Sequence, residues 1–324
     1  MENKIEIIKP YSLQITQRDA NGQAEVLIDG RYRGDEITVT SDDGAVYTIT
    51  VDETGRFGGT IPLTSGWHNL TLTGSSDPTD RLGINKLGVG EIFLTAGQSN
   101  SANHGFPCQN TVSGNVTSLG LEGWQIADDP QPVATGEGGT PWPLLGDLLN
   151  RKLMVPIGLA SVGVGGTAVW QWDPSTENTL YLRLQQALQQ LKSSQSISSP
   201  ADTARARAVL WHQGESDTVA GTSATAYADG MEQIIRQSWA DAGQQIPWFI
   251  AEVSYIGSDY TQQQRAVIEG QQELVSRGVA FAGPTTDDLI GEHYRYDGVH
   301  FGQAGLESHA ERWADCLSSY FGWD

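Results

Sequence analysis

A serine, a histidine and two acids stand where their types and spacing could perform acyl transfer. Ser99 closes the run Glu91-Ile-Phe-Leu-Thr-Ala-Gly-Gln-Ser-Asn100, a short apolar strand ending abruptly in small residues. A serine hydroxyl keeps its proton far above neutral pH, so as a nucleophile it needs a base within hydrogen-bond reach. His300 follows Asp297 by three residues in Asp-Gly-Val-His, so one loop can carry both a base and the carboxylate that orients it. His104, His212, His293 and His309 are rival bases, but none has an Asp three residues before it. Attack on an ester builds an oxyanion, which calls for donors already aimed at it. The Ser99 amide is one, Gly165 in Gly163-Val-Gly-Gly166 a second, and the Gln213 side chain in Trp211-His-Gln-Gly-Glu-Ser-Asp217 a third.

Each motif alone has a plainer reading. Serine is common at helix N-caps, Asp-Gly is a common turn, and Gln213 alone reads as a polar loop residue. The serine turn is not the Gly-x-Ser-x-Gly elbow of α/β-hydrolases, because Ser101 occupies the second glycine position. Gly163-Val-Gly-Gly-Thr-Ala168 formally fits a dinucleotide-binding Gly-x-Gly-x-x-Ala, but Pro174 soon after argues against the helix such a loop must open. No His-Glu-x-x-His or comparable ligand spacing occurs, so no metal or other cofactor is expected. Glu292-His293 and Asp287-Asp288 read as a solvated acidic loop.

The elements that must position these residues fall into two groups. Residues 11–73 alternate apolar and polar over short runs separated by Asp29-Gly30, Asp42-Asp-Gly44, Thr54-Gly55 and Ser65-Gly66, the pattern of a small antiparallel β-sandwich. Gly74-Ser-Ser-Asp-Pro-Thr-Asp80 interrupts it, and the junction is placed near residue 84, giving units 1–84 and 85–324. Beyond it, nearly continuous apolar runs at 92–96, 155–161, 206–211, 247–253 and 279–282 read as buried parallel strands. Helical periods at 181–191, 224–240, 262–276 and 304–320 lie between or after them. The expected fold is a three-layer α/β/α domain, with the motifs at the carboxyl ends of its strands.

Bulk composition narrows the partners. Lys and Arg number 19 against 39 Asp and Glu, a net charge of −20 that repels phosphate backbones and anionic lipid, so neither nucleic acid nor membrane is expected. Ten Trp and ten Tyr suit carbohydrate recognition, although most aromatics pack in cores. Cys108 and Cys316 do not make a disulfide framework. The opening Met-Glu-Asn-Lys-Ile-Glu lacks a signal-peptide stretch, and no run reaches membrane-spanning length.

Taken together, Gly-Gln-Ser-Asn, Gly-Gly-Thr-x3-Gln-Trp, Trp-His-Gln-Gly-Glu-Ser-Asp and a final Asp-x-x-His resemble the sialate O-acetylesterase branch of the SGNH hydrolases, which includes the acetyl xylan esterases of carbohydrate esterase family 6. The likeness runs through most of residues 86–316. The β-rich N-terminus more loosely resembles the small domain preceding the catalytic domain in sialate O-acetylesterases. The resemblance implies a flavodoxin-like catalytic domain that removes O-linked acetyl groups from a carbohydrate through an acetyl-serine. Ser99 would be nucleophile, His300 base, and Ser99, Gly165 and Gln213 the oxyanion hole. Some relatives use the Glu of Gln-Gly-Glu, here Glu215, with or instead of the Asp of Asp-x-x-His, so Asp297 and Glu215 both stand as candidate acids. Gln98, Asn100, Trp142, Trp170 and Trp172 are candidate substrate contacts. The substrate class implies an extracellular or periplasmic setting, with a phage virion or the cytoplasm as alternatives. A non-catalytic carbohydrate-binding protein is the competing function.

Overall fold

The computed structural model describes residues 5–193, 206–257 and 260–323. Eight strands come first: β1 (Glu6–Lys9), β2 (Ile15–Gln17), β3 (Gln23–Arg31), β4 (Glu36–Ser41), β5 (Val46–Thr50), β6 (Arg56–Thr64), β7 (Gly66–Gly74) and β8 (Arg81–Gly97). β1, β3 and β6 pair antiparallel as one sheet, while β5, β4, β7 and the first half of β8 pair antiparallel as another. Alternation sends Ala24, Val26 and Ile28 of β3 inward, where they join Ile37 and Val39 of β4 and Leu70 and Leu72 of β7 in one shared core.

The remaining elements are β9 (Val116–Leu119), β10 (Trp124–Ile126), α1 (Trp142–Leu153), β11 (Ile157–Ser161), α2 (Tyr181–Ser193), β12 (Ala208–His212), α3 (Glu215–Ala220), α4 (Ala224–Ala242), β13 (Trp248–Glu252), α5 (Thr261–Ser276), β14 (Phe281–Thr285) and α6 (Gln303–Phe321). The strands lie in the order β10-β9-β11-β8-β12-β13-β14, all parallel except β10 against β9. Period two in β8 sorts its side chains between the layers. Ile92, Leu94 and Ala96 join a core with residues of α2, α4 and α5, and Phe93 joins one with residues of α1 and α6.

β8 therefore serves both halves of the chain. Residues 81–89 pair with β7, 88–90 with β2, and 91–97 with β11 and β12. The sequence junction near residue 84 falls inside this continuous strand. Where the two halves meet, buried Glu91 accepts bonds from Gln17 Nε2 (2.7 Å), Arg18 Nε (2.8 Å) and Arg207 Nε (2.6 Å).

Several elements escape the sequence reading, β1 and α3 among them. β9 is wholly buried but runs Val-Thr-Ser-Leu, so no apolar run announces it. β10 has only three residues. α1 starts with Trp142-Pro143 and contains Gly146, two residues that weaken a helical signal. That glycine lets α1 lie against β9, since a Cβ there would meet Val116 Cγ1 at 2.4 Å. The last parallel strand also sits slightly later than the expected 279–282.

Candidate active site

The nucleophile turn is built by backbone geometry that excludes a side chain at Gly97. Its φ is +127°, and a Cβ there would stand 2.0 Å from the His212 carbonyl oxygen. The chain can then leave β8 and turn at once: the Gln98 amide donates to His212 O (3.0 Å), and Ser99–Ser101 forms a single 3-10 turn. Ser99 is 5% exposed. Its amide heads the turn, where no acceptor lies within the turn itself.

The loop after β14 carries the candidate base, His300. His300 Nδ1 lies 2.6 Å from Asp297 Oδ2, and since a carboxylate only accepts, Nδ1 holds the proton and Nε2 presents a lone pair. The backbone amides of Val299 and His300 donate to Asp297 Oδ1 at 2.9 and 2.7 Å. Burial pushes the Asp297 carboxyl up, but His300 and these two amides outweigh it and hold it below the ordinary value. Beneath the loop lies Arg295, 2% exposed, whose guanidinium donates to the carbonyls of Leu289 (2.6 Å), Thr286 (3.2 Å) and Val299.

No direct hydrogen bond joins the His300 ring to the Ser99 hydroxyl among the described residues; Asn100 makes the connection instead. Its Nδ2 donates to Glu215 Oε1 (2.9 Å) and toward Val299 O (3.4 Å), while its Oδ1 accepts the Phe301 amide (3.3 Å). Asn100 is thus a strut between the turn, the base loop and α3, with its amide spent on protein partners.

Glu215 does not touch His300. It is buried, takes the Asn100 bond, and lies 3.6 Å from His212 Nε2. Burial raises its carboxyl, yet His212 and Asn100 together hold it below the usual range. Trp313 Nε1 donates to His309 Nε2 (2.9 Å), and His212 Nδ1 lies within hydrogen-bond distance of the same atom (3.0 Å). A buried polar layer therefore runs from α6 through β12 to α3 under the nucleophile.

Two expected oxyanion donors are already engaged. The Gly165 amide donates to Thr135 Oγ1 (2.8 Å). Gln213 Nε2 faces Asp217 Oδ2 (2.6 Å), Thr167 O (3.0 Å) and Gln98 Oε1 (3.3 Å), three acceptors for two hydrogens. Gln213 accordingly ties the glycine loop to α3. Four expected substrate contacts are likewise buried and hydrogen-bonded within the protein. Gln98 is buried and its Oε1 accepts the Ser216 amide (3.0 Å), and Asn100 is the strut just described. Trp142 is fully buried on Ser101 O (2.9 Å), and Trp172 on Thr167 Oγ1 (3.1 Å). Trp170, by contrast, is 66% exposed.

Other side chains line the site unannounced. The His104 ring stacks on that of His300 with centroids 5.6 Å apart, and a Cβ at Gly165 would meet its Nε2 at 2.4 Å. Burial, then the neighbouring His300, lower its pKa. Phe106 and Tyr296 flank the same histidines, exposed by 63% and 51%. The one sequence hint was position: Phe106 lies in the loop after Ser99, and Tyr296 directly precedes Asp297. A groove of about 490 Å³ elsewhere, lined by Leu121, Val133, Gln186 and Gln190 among others, includes none of these groups. Among the described residues no cluster of His, Cys, Asp and Glu could hold a metal, and no helix is long and apolar enough to cross a membrane.

The chain is a mixed α/β fold with a central sheet, similar to SGNH-type carbohydrate esterases, and the Ser99 turn and the Asp297–His300 loop follow strands of that sheet. Residues 89–319 match the family described as carbohydrate esterase, sialic acid-specific acetylesterase, and the chain belongs to that family. A probable carbohydrate esterase of Arabidopsis thaliana is 25% identical over 170 residues, a match spanning 45% of this chain and 62% of that relative's length. Its X-ray structure superposes with a TM-score of 0.57 at 21% identity, covering 71% of this chain and 98% of the other. The crystal structure of a carbohydrate acetylesterase from Xanthomonas citri gives a TM-score of 0.63 at 18% identity, over 96% and 74% of the two chains.

Proposed function

We propose that this chain is a carbohydrate O-acetylesterase working through an acetyl-Ser99 intermediate. The observation that carries the reading is the Asp297–His300 pair, 2.6 Å apart and tied by Asn100 to the turn that presents Ser99. His300 Nε2 takes the Ser99 proton as the oxygen attacks the acetyl carbonyl, then returns it to the sugar oxygen as that bond breaks. Water, activated by the same nitrogen, releases acetate and restores Ser99. The Ser99 amide stabilises the oxyanion, and the Gly165 amide joins it by exchanging the Thr135 hydroxyl for the developing charge. Asp297 is the acid of this triad and Glu215 a support.

Residues 1–84 we read as a β-sandwich unit and 85–324 as the catalytic unit, a division supported by an N-terminal core that extends only as far as Val89. The decisive measurement is acetate release from acetylated saccharides. Ser99→Ala and His300→Ala should each abolish it while the circular dichroism spectrum stays that of the parent. Turnover near the parent rate in either variant would sink the mechanism.

A further inference from the structure

The loops following β8, β11, β12 and β14 surround Ser99, and residues 98–115, 162–180, 213–223 and 286–302 contain a single Lys or Arg, Arg295. That guanidinium is 2% exposed and spent on carbonyls beneath the base loop. The same segments carry Asp173, Glu177, Glu215, Asp217, Asp287, Asp288, Glu292 and Asp297 in a chain of net charge −20. Arg312 reaches these segments from α6 but is paired with Asp288 (2.5 Å), so a carboxylated sugar entering here would meet an excess of acids.

Phe106 and Tyr296 are the opposite kind of feature. They come from loops far apart in sequence, their rings lie 5.8 Å apart at 53°, and both are mostly exposed. Their backbones are nonetheless fastened. The Phe106 amide donates to Phe301 O (3.0 Å), the Tyr296 amide to His300 O (3.0 Å), and the Tyr296 hydroxyl to His104 O (3.1 Å). The Tyr296 ring sits 6.3 Å from that of His300 at 30°. Apolar surface held rigid in water next to a catalytic base is preorganised for a partner with an apolar face and polar rim. A pyranose ring has that shape.

Resting on the esterase reading, we propose that Phe106 and Tyr296 form a subsite that stacks an uncharged, O-acetylated pyranose, and that this chain prefers such a sugar to an acidic one. The test measures kcat and KM of the parent and of Phe106→Ala and Phe106→Trp on three substrates: an acetylated xylo-oligosaccharide, O-acetylated N-acetylneuraminic acid and 4-nitrophenyl acetate. The parent should favour the oligosaccharide over the acidic sugar. Phe106→Ala should lower kcat/KM for the oligosaccharide, relative to that for nitrophenyl acetate, by about threefold to tenfold, chiefly through KM. Phe106→Trp should restore the ratio. A preference for the acidic sugar, or a ratio unmoved by Phe106→Ala, overturns the proposal. Loss of parent turnover on all three substrates would defeat the esterase reading instead. In that event calorimetric binding of the oligosaccharide decides the subsite: weaker binding to Phe106→Ala than to the parent upholds it, and equal binding rejects it.

Discussion

Asp297 and Glu215 are both acids near a histidine, yet their surroundings separate them. Asp297 bonds the His300 ring; Glu215 bonds the Asn100 amide that braces that ring's loop. Asp297→Asn would remove the acceptor that sets the His300 tautomer, so kcat should fall by about three to four orders of magnitude. Glu215→Gln keeps an oxygen for Asn100 and should retain activity within about tenfold. Steady-state kinetics of the two variants checks both, and the reverse ranking would transfer the acid role to Glu215. The placement of Ser99 at a strand end and the Asp297–His300 contact were legible in the sequence, because a strand terminus and a three-residue spacing are local features. The roles of Gln98, Asn100, Gln213, Trp142 and Trp172 were not, because each depends on partners 41 to 201 residues away or on burial that only the folded chain creates. Gln213 shows the difficulty well: its position after β12 is right for a donor, but Asp217, one helical turn later, claims the amide.

At the scale of elements, the alternating and continuous apolar patterns disclosed the strands they described, whereas β9 hid behind Thr117 and Ser118. Tertiary packing, with Gly146 of α1 pressed on Val116, buries those hydroxyls where composition would leave them outside. The sharpest elemental constraint is the end of β8. Gly97→Ala would add both a left-handed backbone strain and a contact with the His212 carbonyl, so a loss of about 2 kcal/mol or more is expected. The urea midpoint should drop accordingly, and acetate release should fall with it because the Ser99 turn begins at the next residue. The polar layer under this turn carries a pH signature. Burial, then His212 and the arginines Arg295 and Arg312, keep His309 neutral well below its ordinary pKa, and His104 is shifted the same way. The unfolded chain binds protons on both residues below about pH 6.5, so the folded state loses stability as pH falls from about 7 toward 5. His309→Gln should flatten that slope in urea titrations at the two pH values; an unchanged slope would remove His309 from the account.

For the whole molecule, the absence of a spacer between the two halves outweighs the change in sequence character near residue 84. Glu91 gathers Gln17, Arg18 and Arg207 on one buried carboxylate, so Glu91→Ala would strand two guanidinium groups. A cost of about 3–5 kcal/mol is expected. Because β8 belongs to both hydrogen-bonded systems, tryptophan fluorescence and far-ultraviolet dichroism should still report one coincident transition in that variant; two separate transitions would mean that the halves fold independently. Rigid continuity of this kind also sets where things sit. β2 ends its pairing at Gly90, nine residues before Ser99, so the N-terminal sheets stand about 30 Å from the nucleophile along the strand.

That separation has a practical side for anyone wishing to attach the molecule to a surface. Val46, 61% exposed at the head of β5, offers a coupling point on the remote end, and a cysteine placed there would leave the substrate-facing loops turned toward solution. The native thiol that would compete is Cys108, exposed two residues from Phe106, so Cys108→Ser is the companion change such a tether requires.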